Sequence, residues 1–261
     1  MQTLFTSRQG AGEPLLVLHG WGMNHCAWSP VKNALQAKYQ VAWVDLPGHG
    51  GSVDYPLQGM DQAVQSLIPL IGTKTVHVMG WSLGGLIAQR LAHCIPEQVA
   101  SLTLVASTAS FIQRENWLHA MPEKLLSDFY QALESDYAAT IKRFLLLQFM
   151  GVKGGQSMAK QLYKDIMQQP PALQALQQGL KILLESDFIE QSVACPVHWI
   201  LGEKDKLVPA AVMSDLQRMP GDNKVSIIEQ AGHAPFITHA DEFVSVFTRA
   251  MQEFAVTIQS G

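Results

Sequence analysis

The sequence predicts an α/β fold built on a mostly parallel, doubly wound sheet. Three observations carry that prediction: a series of short apolar runs, helical patterns between them, and one long interval without strands. The runs are 14–19 (PLLVLH), 40–45 (QVAWVD), 75–80 (TVHVMG), 99–106 (VASLTLVA), 196–202 (PVHWILG) and 224–229 (KVSIIE). Several are apolar along nearly their whole length, as expected of parallel strands covered by helices on both faces. Residues 83–94 give the clearest helical pattern between two of them. After Ser107 the alternation stops, and about eighty residues read as helix and loop, with 138–149 and 157–167 the clearest helices. The simplest division makes 1–109 and 192–261 a single core and 110–191 a helical cap inserted between two of its strands.

Composition sets the outer limits. The chain has 261 residues, 48% hydrophobic and 15% charged, enough for one large core but short for two independent ones. A net charge of −4 gives no global reason to expect nucleic acid or an anionic membrane as partner. The first residues lack the basic segment and apolar core of a secretion signal, and no run approaches a membrane span, so a cytoplasmic protein is expected, and a monomer is taken as the starting expectation. Cys26, Cys94 and Cys195 are scattered with no CxxC pair, which indicates neither a disulfide framework nor a metal site; they read as buried or idle thiols.

Ligands of open parallel sheets bind at the carboxyl ends of the strands, so the residues ending each run matter most. Gly80-Trp81-Ser82-Leu83-Gly84 closes an apolar strand and opens a helix, which is the setting that gives a G-x-S-x-G pattern meaning. A serine on so sharp a turn needs small residues two before and two after it, because neighbouring backbone passes close by; an N-capping serine at a glycine-rich helix start is the simpler alternative. A serine hydroxyl is a poor nucleophile at neutral pH and needs a base held by a third group. Among nine histidines, His77 and His198 fall in strands, His93 and His119 in helical stretches, and His239 at the start of the last helix. His233 alone occupies the place after the last strand, and Asp205 follows the strand before it, with Glu203 and Asp187 as alternative carboxylates. The order Ser82, Asp205, His233 is that of the α/β-hydrolase fold.

His19-Gly20-Trp21-Gly22 follows another strand and is expected to complete an oxyanion hole, with the backbone N–H groups of Trp21 and Leu83 as donors. The Trp21 side chain either borders the pocket or packs in the core. Asp45-Leu46-Pro47-Gly48-His49-Gly50 lacks the third spaced glycine and the helix of a dinucleotide turn, so it reads as a structural loop with local hydrogen bonds from Asp45 and His49.

Taken together, HGWG, DLPGHG, GWSLGG, RFLLLQFMG, GEKDKLVP and GHAPFITHADEF resemble the biotin-synthesis carboxylesterases that act on the methyl ester of a pimeloyl group borne by an acyl carrier protein. The resemblance spans almost the whole chain. It implies release of methanol, a thioester to the carrier left intact, and no metal or organic cofactor. It also implies substrate contacts at Trp21, Ser82, Leu83, Phe144, Leu145, Leu146, Leu147, Gln148 and His233. Four consecutive large apolar residues cannot all face inward on one helix, so some are expected to face the cleft rather than the cap's own packing.

Carrier proteins are acidic, and residues 142–181 hold six basic side chains against Asp165 alone, a plausible docking surface or else a solvated helix face. The resemblance points to Arg143 and Lys160 among them, while two positions where family members carry arginine are here Ala139 and Gln156. The alternatives sharing these motifs are a broad esterase for short acyl esters, a lactone or carbon–carbon bond hydrolase, and a ligand receptor of the same fold without turnover.

Overall fold

The computed structural model describes residues 3–260, with side chains described as far as Ala255. Seven strands form one sheet: β1 (Thr6–Gln9), β2 (Glu13–Leu18), β3 (Tyr39–Val44), β4 (Val76–Trp81), β5 (Val99–Val105), β6 (Val197–Gly202) and β7 (Asn223–Ile228). They lie in the order β1-β3-β2-β4-β5-β6-β7, and every pairing is parallel except β1 with β3. The six runs read from sequence are β2 to β7. The sequence reading missed β1, whose four residues (TSRQ) carry no apolar pattern and join the edge of the sheet by backbone pairing to β3.

The burial of the central strands explains their composition. All six residues of β6 are buried, and all but one in each of β4 and β5, so both sheet faces are covered. Before β5 come α1 (Lys32–Gln36), α2 (Met60–Ile71) and α3 (Leu83–Cys94). Four helices lie between β5 and β6: α4 (Glu123–Ser135), α5 (Tyr137–Gln148), α6 (Gly155–Ile166) and α7 (Leu173–Glu185). The last segment contains α8 (Met213–Leu216), α9 (Pro235–Thr238) and α10 (Ala240–Ser260). The final helix places Phe243, Phe247, Met251 and Phe254 inward at spacings of three and four, the stripe of an amphipathic surface helix.

From β2 the chain crosses to β3 on one side, then returns to β4 on the other. The carboxyl ends of β2 and β4 therefore flank a topological switch point, where open α/β sheets form their crevice. The helices α4 to α7 cover this end of the sheet. The Ala172 N–H, just before α7, donates to the Gly48 carbonyl (2.8 Å), and the Gln148 carbonyl accepts the His233 N–H (3.0 Å). One placement differs from the sequence reading. His119 lies in a turn before α4 rather than in a helix, because its segment is organised by isolated bridges such as Ile112 to Met121. Cys26 and Cys94 lie on the surface and only Cys195 is buried; all three are free.

Candidate active site

Ser82 sits between β4 and α3 with φ 54°, a left-handed backbone that a residue with a Cβ adopts only under constraint. The constraint is steric and hydrogen-bonded. A Cβ on Gly80 would lie 2.4 Å from the Gly84 carbonyl oxygen, and one on Gly84 would lie 2.6 Å from that of His19, so only glycine lets the turn close. The Ser82 N–H donates to Val105 O (2.9 Å), and the Ser82 carbonyl accepts from the Ser107 hydroxyl (2.9 Å) and the Gly85 N–H (2.9 Å).

The turn aims Ser82 Oγ at His233 Nε2, 2.9 Å away, and His233 Nδ1 faces Asp205 Oδ2 at 2.8 Å. A carboxylate only accepts, so Nδ1 carries the proton and Nε2 is left to accept from the serine hydroxyl. The other carboxylate oxygen, Oδ1, accepts the N–H groups of Leu207 (2.8 Å) and Val208 (3.0 Å), which fixes the plane of Asp205. Glu203 is turned elsewhere, taking the Gln230 N–H (2.8 Å), and Asp187 pairs with Arg114 (3.2 Å). The structure thus brings together Ser82, His233 and Asp205, and leaves both alternative carboxylates outside.

The His233 loop is held from two sides. The Trp81 indole N–H donates to the His233 carbonyl (2.8 Å), while the Gln148 carbonyl, at the end of α5, takes the His233 N–H. Phe236, three residues on, stacks on Trp28 at 3.9 Å and meets Trp81 edge-on at 5.0 Å. Such aromatic pairs add about 0.5–1.5 kcal/mol each beyond the area they bury.

Trp21 follows β2, and Leu83 is the first residue of α3, so the Leu83 N–H has no acceptor within its own helix. Gly20 lies against Ser82, with a built Cβ 3.3 Å from the serine Cβ, which brings the Trp21 peptide beside Ser82. His19 secures that peptide: its Nε2 accepts the Leu46 N–H (3.0 Å), so Nδ1 bears the proton and donates to Gly20 O (2.8 Å). In the neighbouring loop Asp45 accepts from the His25 and Gly51 N–H groups and His49 donates to Pro47 O, the local bonding read from sequence.

Burial drives the His19 pKa from 6.5 down to about 3, the nearby His49 adding to the effect, and burial lowers that of His198 from 6.5 to about 4. Both are depressed, so the unfolded chain binds these protons first, and the stability they leave intact above pH 6.5 is lost as the pH falls. Urea melts between pH 7 and 4.5 should lose stability at about 1.4 kcal/mol per pH unit for each such group. A flat profile would contradict the neutral, buried assignment.

The implied substrate residues divide. Trp21 and Phe144 are buried and meet at 4.6 Å, Phe144 also touches Phe129 (5.5 Å), and Leu145 and Gln148 are buried. Leu147 is half-buried against the core cluster. Leu146 faces outward, 39% exposed, because the helix turns it to the opposite side of α5 from Leu145 and Gln148. There it lines an apolar groove of about 560 Å³ between α5 and α6, with Tyr163, Lys142, Lys160 and Lys164 on its walls. Arg143 lies over the Phe129 ring at 5.2 Å, and Lys181 pairs with Glu185, so neither belongs to that groove. Among the described residues no group of three His, Cys, Asp or Glu side chains is arranged to hold a metal, and no helix is long and apolar enough to cross a membrane.

Comparison with known proteins bears on family and fold. The family model for the alpha/beta hydrolase fold matches residues 13–240. The pimeloyl-[acyl-carrier protein] methyl ester esterase of Aeromonas hydrophila subsp. hydrophila is 39% identical over 248 residues, covering 92% of this chain and 95% of that one. That of Nitrosomonas europaea is 37% identical over 250 residues, covering 95% and 99%. Among solved structures, a bromoperoxidase from Bacillus anthracis superposes with a TM-score of 0.84 at 20% identity, over 95% of each chain. An esterase from Exiguobacterium antarcticum gives 0.83 at 19%, also over 95% of each. The structural likenesses speak to fold alone, whereas the sequence likeness runs at more than a third identity from end to end: the chain belongs to the α/β-hydrolase family and, within it, to the family of pimeloyl-[acyl-carrier protein] methyl ester esterases.

Proposed function

We propose that the protein is a cytoplasmic serine carboxylesterase that hydrolyses the methyl ester of a pimeloyl chain carried on acyl carrier protein, as a step of biotin synthesis. The observation that carries the chemistry is the relay from Ser82 Oγ through His233 to Asp205, two hydrogen bonds of 2.9 and 2.8 Å in a buried site. The substrate follows from the name shared by relatives that match the chain nearly end to end.

In this reading His233 Nε2 takes the Ser82 proton as Oγ attacks the ester carbonyl. The resulting oxyanion accepts from the Trp21 and Leu83 N–H groups, each such donor contributing about 2.7–4 kcal/mol. Collapse breaks the bond to the methoxy oxygen, which leaves as methanol with the proton from Nε2. Water then attacks the acyl-serine, again with His233 as base, and frees the carboxylate. That carboxylate would be left unpaired beside Trp21 and Phe144, a costly burial that favours release. Ser82 is only 2% exposed, so the substrate reaches it when residues 110–191, acting as a cap, open.

The groove between α5 and α6 suits the carrier: three lysines for an acidic surface, and Leu146 and Tyr163 for the arm that bears the acyl chain. Arg143, bound over Phe129, acts beside it by holding α5 in place. Charge reversal of Lys142, Lys160 and Lys164 together should raise KM for the carrier-bound ester at least about tenfold, with free methyl pimelate unaffected. Equal kcat/KM for the two substrates in the wild type would argue for a broad esterase instead. Rescue of a biotin-requiring strain that lacks its own methyl esterase tests the pathway assignment, with Ser82→Ala as control.

A further inference from the structure

We infer that Gly179, on α7 of the cap, is a positioning residue for the oxyanion hole, a bare patch of helix against which both donor residues are seated. The inference rests on the esterase reading above. A Cβ built on Gly179 would fall 2.7 Å from Trp21 Cδ1, 3.2 Å from Trp21 Nε1 and 3.2 Å from Leu83 Cδ2. Those are the side chains of the two residues whose backbone N–H groups face the reacting carbonyl. One position on the cap therefore touches both halves of the hole.

The contact matters because the Trp21 backbone does not stiffen itself. It is flanked by Gly20 and by Gly22, which has φ 70°, and glycine imposes little conformational preference on its neighbours. His19 and the Met23 N–H (3.2 Å) fix the Gly20 carbonyl on one side. On the other side the indole supplies the anchor. Its N–H donates to Leu176 O on α7 (2.8 Å), one helical turn before Gly179, and its ring lies against Phe144 at 4.6 Å. Wedged in this way, the indole cannot yield to an added methyl group as the end of a flexible side chain could. It would move as a lever, carrying the peptide between two glycines with it. Alanine is also the better helix former, so α7 itself gains from the change and any loss of activity is not a loss of helix.

The test uses the full chain with 4-nitrophenyl acetate and 4-nitrophenyl hexanoate as soluble esters and butylboronic acid as a mimic of the tetrahedral intermediate. Gly179→Ala should lower kcat about 10- to 100-fold on both esters, with KM within about twofold, since displacement by a fraction of an ångström weakens a transition-state contact. Boronate inhibition should weaken in parallel. In a Trp21→Ala background the same change should cost no more than about twofold, because the lever is gone. Thermal melts check that Gly179→Ala is folded at assay temperature; if it is not, Trp21→Phe, which loses the N–H to Leu176, should show the same kcat loss on both esters. Unchanged kcat, or a loss confined to KM or to the longer ester, would mean that Gly179 merely lines the acyl pocket and would overturn the inference. A folded wild type that hydrolyses neither ester sinks the esterase reading, and the positioning role with it. A wild type that hydrolyses both while Gly179→Ala matches it sinks the positioning role alone.

Discussion

Replacing Ser82 with alanine is expected to lower kcat/KM by about a million-fold while the thermal midpoint stays within a few degrees of wild type. The size follows from removing the group that forms the acyl intermediate, which leaves His233 and Asp205 with nothing to activate. Stability is spared because the strain at Ser82 belongs to its backbone, φ 54°, which alanine occupies no worse than serine. The bonds that hold the turn are made by the Ser82 N–H and carbonyl, not by its hydroxyl. Single-turnover measurements with the carrier-bound ester would read the loss, and turnover within a factor of ten of wild type would rule Ser82 out as nucleophile.

Asp205→Asn should cost about ten-thousand-fold in kcat, for a reason specific to how the carboxylate is tied down. One oxygen is claimed by two N–H donors, those of Leu207 and Val208, and the other by His233 Nδ1. An asparagine must keep its single oxygen toward the two backbone donors, which turns its NH₂ toward Nδ1. The imidazole then answers with its other tautomer and presents an N–H to Ser82, so it can no longer take the serine proton. Asp205→Glu should also be poor, because a longer stem cannot satisfy both loops. A proton NMR resonance for the His233 Nδ1–H that persists in Asp205→Asn would contradict this account.

Much of this site was legible in the sequence because it is local. The Ser82 turn is five consecutive residues between two elements, and sheet topology brings the ends of β6 and β7, with Asp205 and His233, to the end of β4. The strands were legible for a related reason: burial on both faces makes a parallel strand apolar throughout, as in β6. Where burial is absent the signal vanishes, and β1, with four polar residues on an edge, has none. The stretch from Phe144 to Gln148 shows the opposite limit. Its apolar run announces a buried helix without giving its phase, and only packing against Trp21 and Phe129 decides that Phe144 goes in and Leu146 out. Gly179 left a faint trace, an isolated glycine inside a helical pattern, which usually has a packing reason. Nothing in the chain says that the partner lies 158 positions upstream, at Trp21.

The cap helices differ in what fastens them, and the difference defines where this chain can be recombined with its relatives. α7 is bonded to the loops that follow two core strands, through Ala172, just before it, to Gly48 and through Leu176 to Trp21. α5 and α6 present their outer groove to solvent, while the inner face of α5 meets the core at Phe144, against Trp21, and at Gln148, and Lys204 Nζ donates to Gly151 O (3.2 Å) just beyond it. A chimera that exchanges the outer face of α5 and α6 but retains α7, Phe144 and Gln148 should keep the Trp21 and His233 loops in place and change only what it accepts. One that exchanges the whole insertion severs the seam on which those loops rest. The insertion thus has two faces, an inner one fastened to the Trp21 and His233 loops and an outer one open to solvent.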